Sequence, residues 1–224
     1  ATGVAVSLLV LPARAMAGVV ERSGRIAVLL ARQMAVLAKG VPSIRGEQST
    51  LAARVRGNLV RLANLVEEAE HERRGRSSHY SGALRLLRTL RRLRHNTDML
   101  RRAGREVGSD TLPASIAAPW RLAAESAAQT LCGIARILTG EDVSEDFDTL
   151  TPAVRSYLNA LEEMQKSGEA AALPPATLRR MFGIGFTLDQ LRRDAGDMIE
   201  ISREVPKPRP GPVVTVKAWW SARR

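Results

Sequence analysis

A single cysteine, Cys132, excludes an internal disulfide framework and any multi-cysteine metal centre, and it fits a reducing compartment. Only 8 of the 224 residues are aromatic, and β-branched runs are scarce, so the chain lacks what a large sheet packs with. Just 3 histidines are present, His71, His79 and His95, and their spacings of eight and sixteen match no metal-ligand pattern on one helix face. No GxxxxGK[ST] phosphate loop occurs, and Gly183-Ile184-Gly185 has no strand ahead of it, so a nucleotide site is not supported. No serine or cysteine sits in a nucleophile-elbow sequence. Catalysis is therefore not expected, and neither is a metal or cofactor.

What the chain does have is arginine. Lysine and arginine together number 34 against 23 acidic residues, a net charge of +11. Residues 1–110 hold 20 basic and 9 acidic groups, whereas residues 111–224 hold 14 of each, so the whole excess lies in the first half. With 45% apolar residues, the chain can bury the core of one or two domains.

Helical periodicity dominates. The apolar spacing predicts one long helix over 4–39, a second over 48–72 with Leu51, Val55, Leu59, Leu62, Val66 and Ala69 inward, and a third over 81–105. Ser49 or Thr50 is expected to cap the second. The third carries the stripe Leu86, Leu90, Leu93, Thr97 and Leu100, and these two are expected to pair as an antiparallel hairpin across the polar break at 73–78. After the breakers at 108–113 a fourth helix presents Ile116, Trp120, Ala123, Ala127, Leu131, Ile134 and Leu138, ending at Thr139-Gly140. The acidic stretch 141–148 is expected to be a loop. A fifth helix starts at Thr151-Pro152 with Val154, Leu158, Leu161 and Met164 inward. A sixth, over 176–204, turns Leu178, Met181, Gly185, Leu188, Leu191, Ala195 and Met198 to one face, the small residues allowing close helix approach. Pro206, Pro208, Pro210 and Pro212 impose an extended linker. The fold expected is all-α, an antiparallel bundle of five to six long helices.

The opening stretch 1–11, with its apolar run Val4–Leu11, is not preceded by a basic segment, so it is not a signal peptide, and at roughly 11 residues it has about half of the ~20 needed to span a bilayer. It is either a buried helix start or the last turns of a membrane helix begun upstream. Pro12, Arg14, Arg22, Arg25 and Arg32 favour the second, because basic residues collect on the cytoplasmic side of a span. On that expectation residues 1–12 end a membrane helix, 13–204 form the helical domain, and 205–224 lead to a further membrane block. Arg14, Trp219, Trp220, Arg223 and Arg224 would then lie at the membrane interface.

Carboxylate pairs occur at Glu67-Glu68 and Glu162-Glu163, with a set at Asp189, Asp194 and Asp197. Asp189 and Asp197 have arginine, and Glu162-Glu163 lysine, three or four positions away, and the whole set is read as charged helix surface rather than acid–base chemistry. The sharpest local feature is Arg85, Arg88, Arg91, Arg92, Arg94, Arg101 and Arg102 on the third helix, opposite its leucine stripe. Three readings are open: a nucleic-acid surface over 73–105, a solvated face, or a surface toward anionic lipid, which is worth about 1 kcal/mol per basic side chain near the headgroups.

Several segments together resemble one family. Ser7–Ala15 is similar to the end of the first transmembrane block of the fusaric acid resistance, or aromatic acid exporter, family. Leu90–Arg102 resembles its arginine-rich cytoplasmic helix, with Asn96 where an acidic residue is common. Phe186–Met198 is similar to its closing helix, with Ala195 in place of a leucine. The resemblance implies the cytoplasmic helical domain of a bacterial inner-membrane efflux transporter for aromatic or other organic acids, set between two transmembrane blocks. It further implies a homo-oligomer, an anionic inner leaflet as neighbour, and a periplasmic adaptor subunit reached through the transmembrane part. It assigns no transport residues to this chain. A soluble basic module binding nucleic acid is the weaker alternative.

Overall fold

The computed structural model describes residues 2–39, 45–71, 80–105, 112–143 and 149–205. Six α-helices run in chain order: α1 (Thr2–Ala38), α2 (Arg45–His71), α3 (Tyr80–Arg105), α4 (Ala114–Leu138), α5 (Leu150–Lys166) and α6 (Pro175–Glu204). A single 3₁₀ turn, Glu169–Ala172, joins the last two. Among the described residues there is no strand. The all-α bundle expected from apolar periodicity is the architecture observed.

Neighbouring helices run antiparallel where side chains tie them together. Along α1 and α2, Arg22 donates to Asn58 (3.3 Å) and Gln48 donates to the Gln33 carbonyl (3.0 Å), so residue numbers rise on one helix as they fall on the other. Between α3 and α6, Arg85 meets Glu204 while Arg92 meets Asp194. Between α4 and the α5 segment, Thr149 reaches Gln129 and Ser115 reaches Glu169. The shared core includes Val19, Ile26, Leu30, Leu62, Leu90, Leu131, Ile134, Leu161 and Leu188. Burying each large aliphatic side chain contributes about 1.5–3 kcal/mol, so the leucine and alanine seams carry the bundle without many aromatics.

Local signals act as the residue chemistry dictates, with four corrections. Helix α4 ends at Thr139, where Gly140 (φ 86°) lets its N–H reach the Ile137 carbonyl and the Glu141 N–H reach Arg136, closing two orphan carbonyls. Ser49 and Thr50, in contrast, lie inside the first turns of α2. Their hydroxyls donate back to the Gly46 carbonyl (2.9 Å each) instead of capping free N–H groups. On α5 the inward set is Val154, Tyr157, Leu161 and Met164. Leu158 lies one step round the helix and is largely exposed, because the 3-4-3 spacing through Tyr157 tracks the contact line better. Trp120 is only half-buried, since its ring lies near the start of α4 at the edge of the core. Finally, α2 and α3 do face each other, yet α2 packs most closely on α1 and α3 on α6. The hairpin is therefore splayed.

Candidate functional site

The splay opens a groove of about 550 Å³ between α2 and α3. Leu59, Val60 and Ala63 of α2 and Met99 of α3 make its apolar part. Arg56, Arg91, Arg94 and Arg102 supply charge, with Asp98 the one carboxylate and His95 and Asn64 completing the walls. Val60 is 61% exposed and Met99 42% exposed, so the groove shows apolar surface to solvent beside its guanidinium groups.

Helix geometry explains why one arginine-rich helix presents three different faces. At 100° per residue, Arg85 and Arg92 fall on the flank of α3 nearest α6, Arg94 and Arg101 on the opposite flank, and Arg88, Arg91 and Arg102 between them, away from the leucine stripe. The single surface expected for all seven is thus three. Towards α6, Arg92 donates through Nε to Asp194 (2.6 Å) and through a terminal nitrogen to Asp197 (2.6 Å), and Asn96 adds a bond to Asp194 (2.8 Å). Arg85 pairs with Glu204 at 2.6 Å. On the other flank Arg94 and Arg101 share Asp98, each at 3.3 Å, and the Arg101 side chain is only 12% exposed. Among the described residues, Arg88, Arg91 and Arg102 make no ion pair, and all three are exposed.

Asp194 is where surface reasoning fails. Its sequence neighbours made it look solvated, but it is buried against α3 as the acceptor of a cross-helix network. Asp189 does behave as spacing predicts, pairing with Arg192 (2.9 Å) and Arg193 (2.6 Å) on its own helix. This network joins Leu90–Arg102 and Phe186–Met198, two of the three segments singled out in the sequence. Asn96 is buried with its amide on a carboxylate, so an acidic side chain there would face Asp194 as a like charge.

Two further titratable groups lie away from the groove. Cys132 is half-buried, and burial pushes its thiol above the ordinary range, with Arg136 pulling it partly back. Tyr157 is fully buried, donates to the Met181 carbonyl (3.0 Å), and is raised well above the usual phenol range by loss of water. Gly185 lets α5 approach: a Cβ there would lie 3.1 Å from Leu158 Cδ2 and 3.2 Å from Leu161 Cδ1. Gly183 meets nothing within 4 Å and has no such role. Among the described residues no set of three His, Cys, Asp or Glu side chains could hold a metal ion.

Of the expected membrane-interface residues, Arg14 belongs to α1 but its side chain is outside those described. Trp219, Trp220, Arg223 and Arg224, the linker prolines and most of the 141–148 stretch are outside the described residues. Among the described residues no helix is long and apolar enough to cross a membrane. No family model, no curated protein and no solved structure matches the chain.

Proposed function

We propose that the chain forms the cytoplasmic helical domain of a bacterial inner-membrane efflux transporter for aromatic or other organic acids. It would have no catalytic activity of its own and would serve to pack, oligomerise or couple the transmembrane halves. The observation that carries the reading is that Met16, fourteen residues into α1, and Val205, just after α6, both lie against the first turn of α3. A Cβ on Gly82, in the first turn of α3, would lie 3.4 Å from Val205 Cγ1, just after α6, and 3.9 Å from Met16 Cε, where the described core of α1 begins. A domain inserted between two membrane blocks has to receive the chain and return it on the same side. The order and pairing of the two resemblance segments on α3 and α6 support the same reading.

That end also divides the arginines. Arg85 and Arg88 lie three and six residues from Gly82, within about 9 Å along the helix, whereas the groove at residues 91–102 is about 14–30 Å away. The Debye length is about 8 Å at physiological salt, so groove arginines would gain little from a headgroup layer at the entry end. They are better placed to meet a protein. A nucleic-acid surface is disfavoured by the same pairing pattern: Arg85, Arg92, Arg94 and Arg101 already hold carboxylates and would have to release them to reach phosphate.

The test is topological. A reporter fused within residues 140–150 of the full-length gene product is expected on the cytoplasmic side, and the flanking coding sequence is expected to hold several apolar spans of ~20 residues on both sides. A periplasmic reporter, or flanks without such spans, would overturn the reading.

A further inference from the structure

The α2–α3 groove combines exposed apolar side chains, Val60 and Met99, with four guanidinium groups against one carboxylate. Its complement must carry both acidic and apolar side chains. The same chain contains a segment of that composition: Glu141-Asp142-Val143-Ser144-Glu145-Asp146-Phe147-Asp148, with five carboxylates around one valine and one phenylalanine. Glu141 is held by Arg136 of its own copy (2.7 Å), and the sequence places Asp142, Glu145, Asp146 and Asp148 beyond it.

Within one copy the end of α4, which leads into that segment, and the groove belong to different sides of the bundle. Helix α4, which leads into the acidic segment, packs on α1, α5 and α6, whereas the groove opens between α2 and α3. They nonetheless lie at a similar level. The C-terminal end of α4 sits against Gly24, where a Cβ would be 3.6 Å from Leu138 Cβ. Gly24 is eight residues beyond Met16, about 12 Å from the entry end, and Arg91 is nine residues beyond Gly82, about 14 Å from the same end. Copies standing side by side in one orientation would bring the acidic segment of each to the groove of the next.

We propose that the chain associates with itself head to tail, the 141–148 segment of one copy entering the α2–α3 groove of its neighbour, with Arg91, Arg102 and Arg56 holding its carboxylates and Val60 and Met99 receiving Phe147. Such a contact is heterologous and closes into a ring when the rotation permits. A single short segment buries less than the roughly 1,200 Å² of a stable interface, so association is weak in free solution and depends on charge. This inference goes beyond the transport reading and does not rest on it, because it requires no membrane.

Sedimentation of the 224-residue chain, with far-UV circular dichroism as the folding check, tests it. At about 50 mM NaCl the mass is expected to rise with concentration above the 24.4 kDa monomer, and at about 500 mM NaCl, where the Debye length is near 4 Å, to return to it. The groove variant Arg91→Ala with Arg102→Ala and the segment variant Asp142→Ala with Asp146→Ala are each expected to remain monomeric. Mixed, they are expected to form a 1:1 dimer and nothing larger, since each keeps one intact surface. A wild-type chain that is monomeric at low salt overturns the proposal, as does a groove variant that associates like wild type or a mixture that fails to pair. Salt-insensitive association abolished by Phe182→Ser with Phe186→Ser would overturn it too, placing the contact on the exposed α5–α6 aromatic surface instead.

Discussion

Helix α3 has α6 on one side and α2 on the other, and arginine meets opposite fates at the two seams. Toward α6 the guanidinium of Arg92 bridges Asp194 and Asp197, Asn96 secures the first carboxylate, and Arg85 closes the end against Glu204. On its far side α6 is fastened again by Tyr157 and by the close approach at Gly185. Toward α2 the helices part, Arg91 and Arg102 find no carboxylate within the described residues, and the gap between them is a solvent-filled groove. The same residue type is structural on one flank and available for a partner on the other. What differs is whether the facing helix supplies acid: α6 offers Asp194, Asp197 and Glu204, whereas α2 offers Arg56, Val60 and Ala63.

The comparison is broken most sharply at Asp194. Asp194→Ala removes the acceptor of both Arg92 and the buried Asn96 amide and is expected to cost about 2 kcal/mol, read as a lowered urea midpoint, with half-exposed Arg92 recovering part of its loss from water. If stability is unchanged, the α3–α6 seam is no more structural than the groove.

A smaller effect, about 1 kcal/mol at neutral pH, is expected for Tyr157→Phe, because the Met181 carbonyl loses a buried donor. Its pH dependence sharpens the test. The folded phenol is raised above its ordinary 10.0, so the unfolded chain ionises first, and the stability tied to Tyr157 is intact below pH 10 and lost as the pH rises past it. Urea titrations of wild type from pH 8 to 11 should therefore fall toward the variant, whose own curve lacks this component.

The smallest effect belongs to the groove. Arg91→Ala with Arg102→Ala is expected to change unfolding free energy by no more than about 0.5 kcal/mol, since neither side chain holds a partner in the fold. A larger loss in the same titration would place these arginines among the structural set.

Much of this was legible in the residues. The helices, the leucine stripe of α3, the stop at Thr139-Gly140 and the start of α5 near Thr151-Pro152 follow from periodicity and backbone chemistry, which act within a few residues. Leu158 is exposed where the spacing turned it inward, because a heptad leaves two adjacent registers open and only the neighbouring helix selects between them, whereas Trp120 packs against the core from its edge. Asp194 was misjudged for a related reason. Arg192 and Arg193 stand two positions and one position from it and pair with Asp189 instead, while its partners Arg92 and Asn96 lie about 100 residues upstream, which spacing along one helix does not show.

Sequence alone determined that the chain is all-helical, that its charge excess lies in the first half, and that α3 is arginine on every side but one. Those are properties of composition and of spacing along one helix. Tertiary structure decided which arginines are consumed and which remain, because pairing depends on what the facing helix presents at a given height, and that register is set by packing around a shared core.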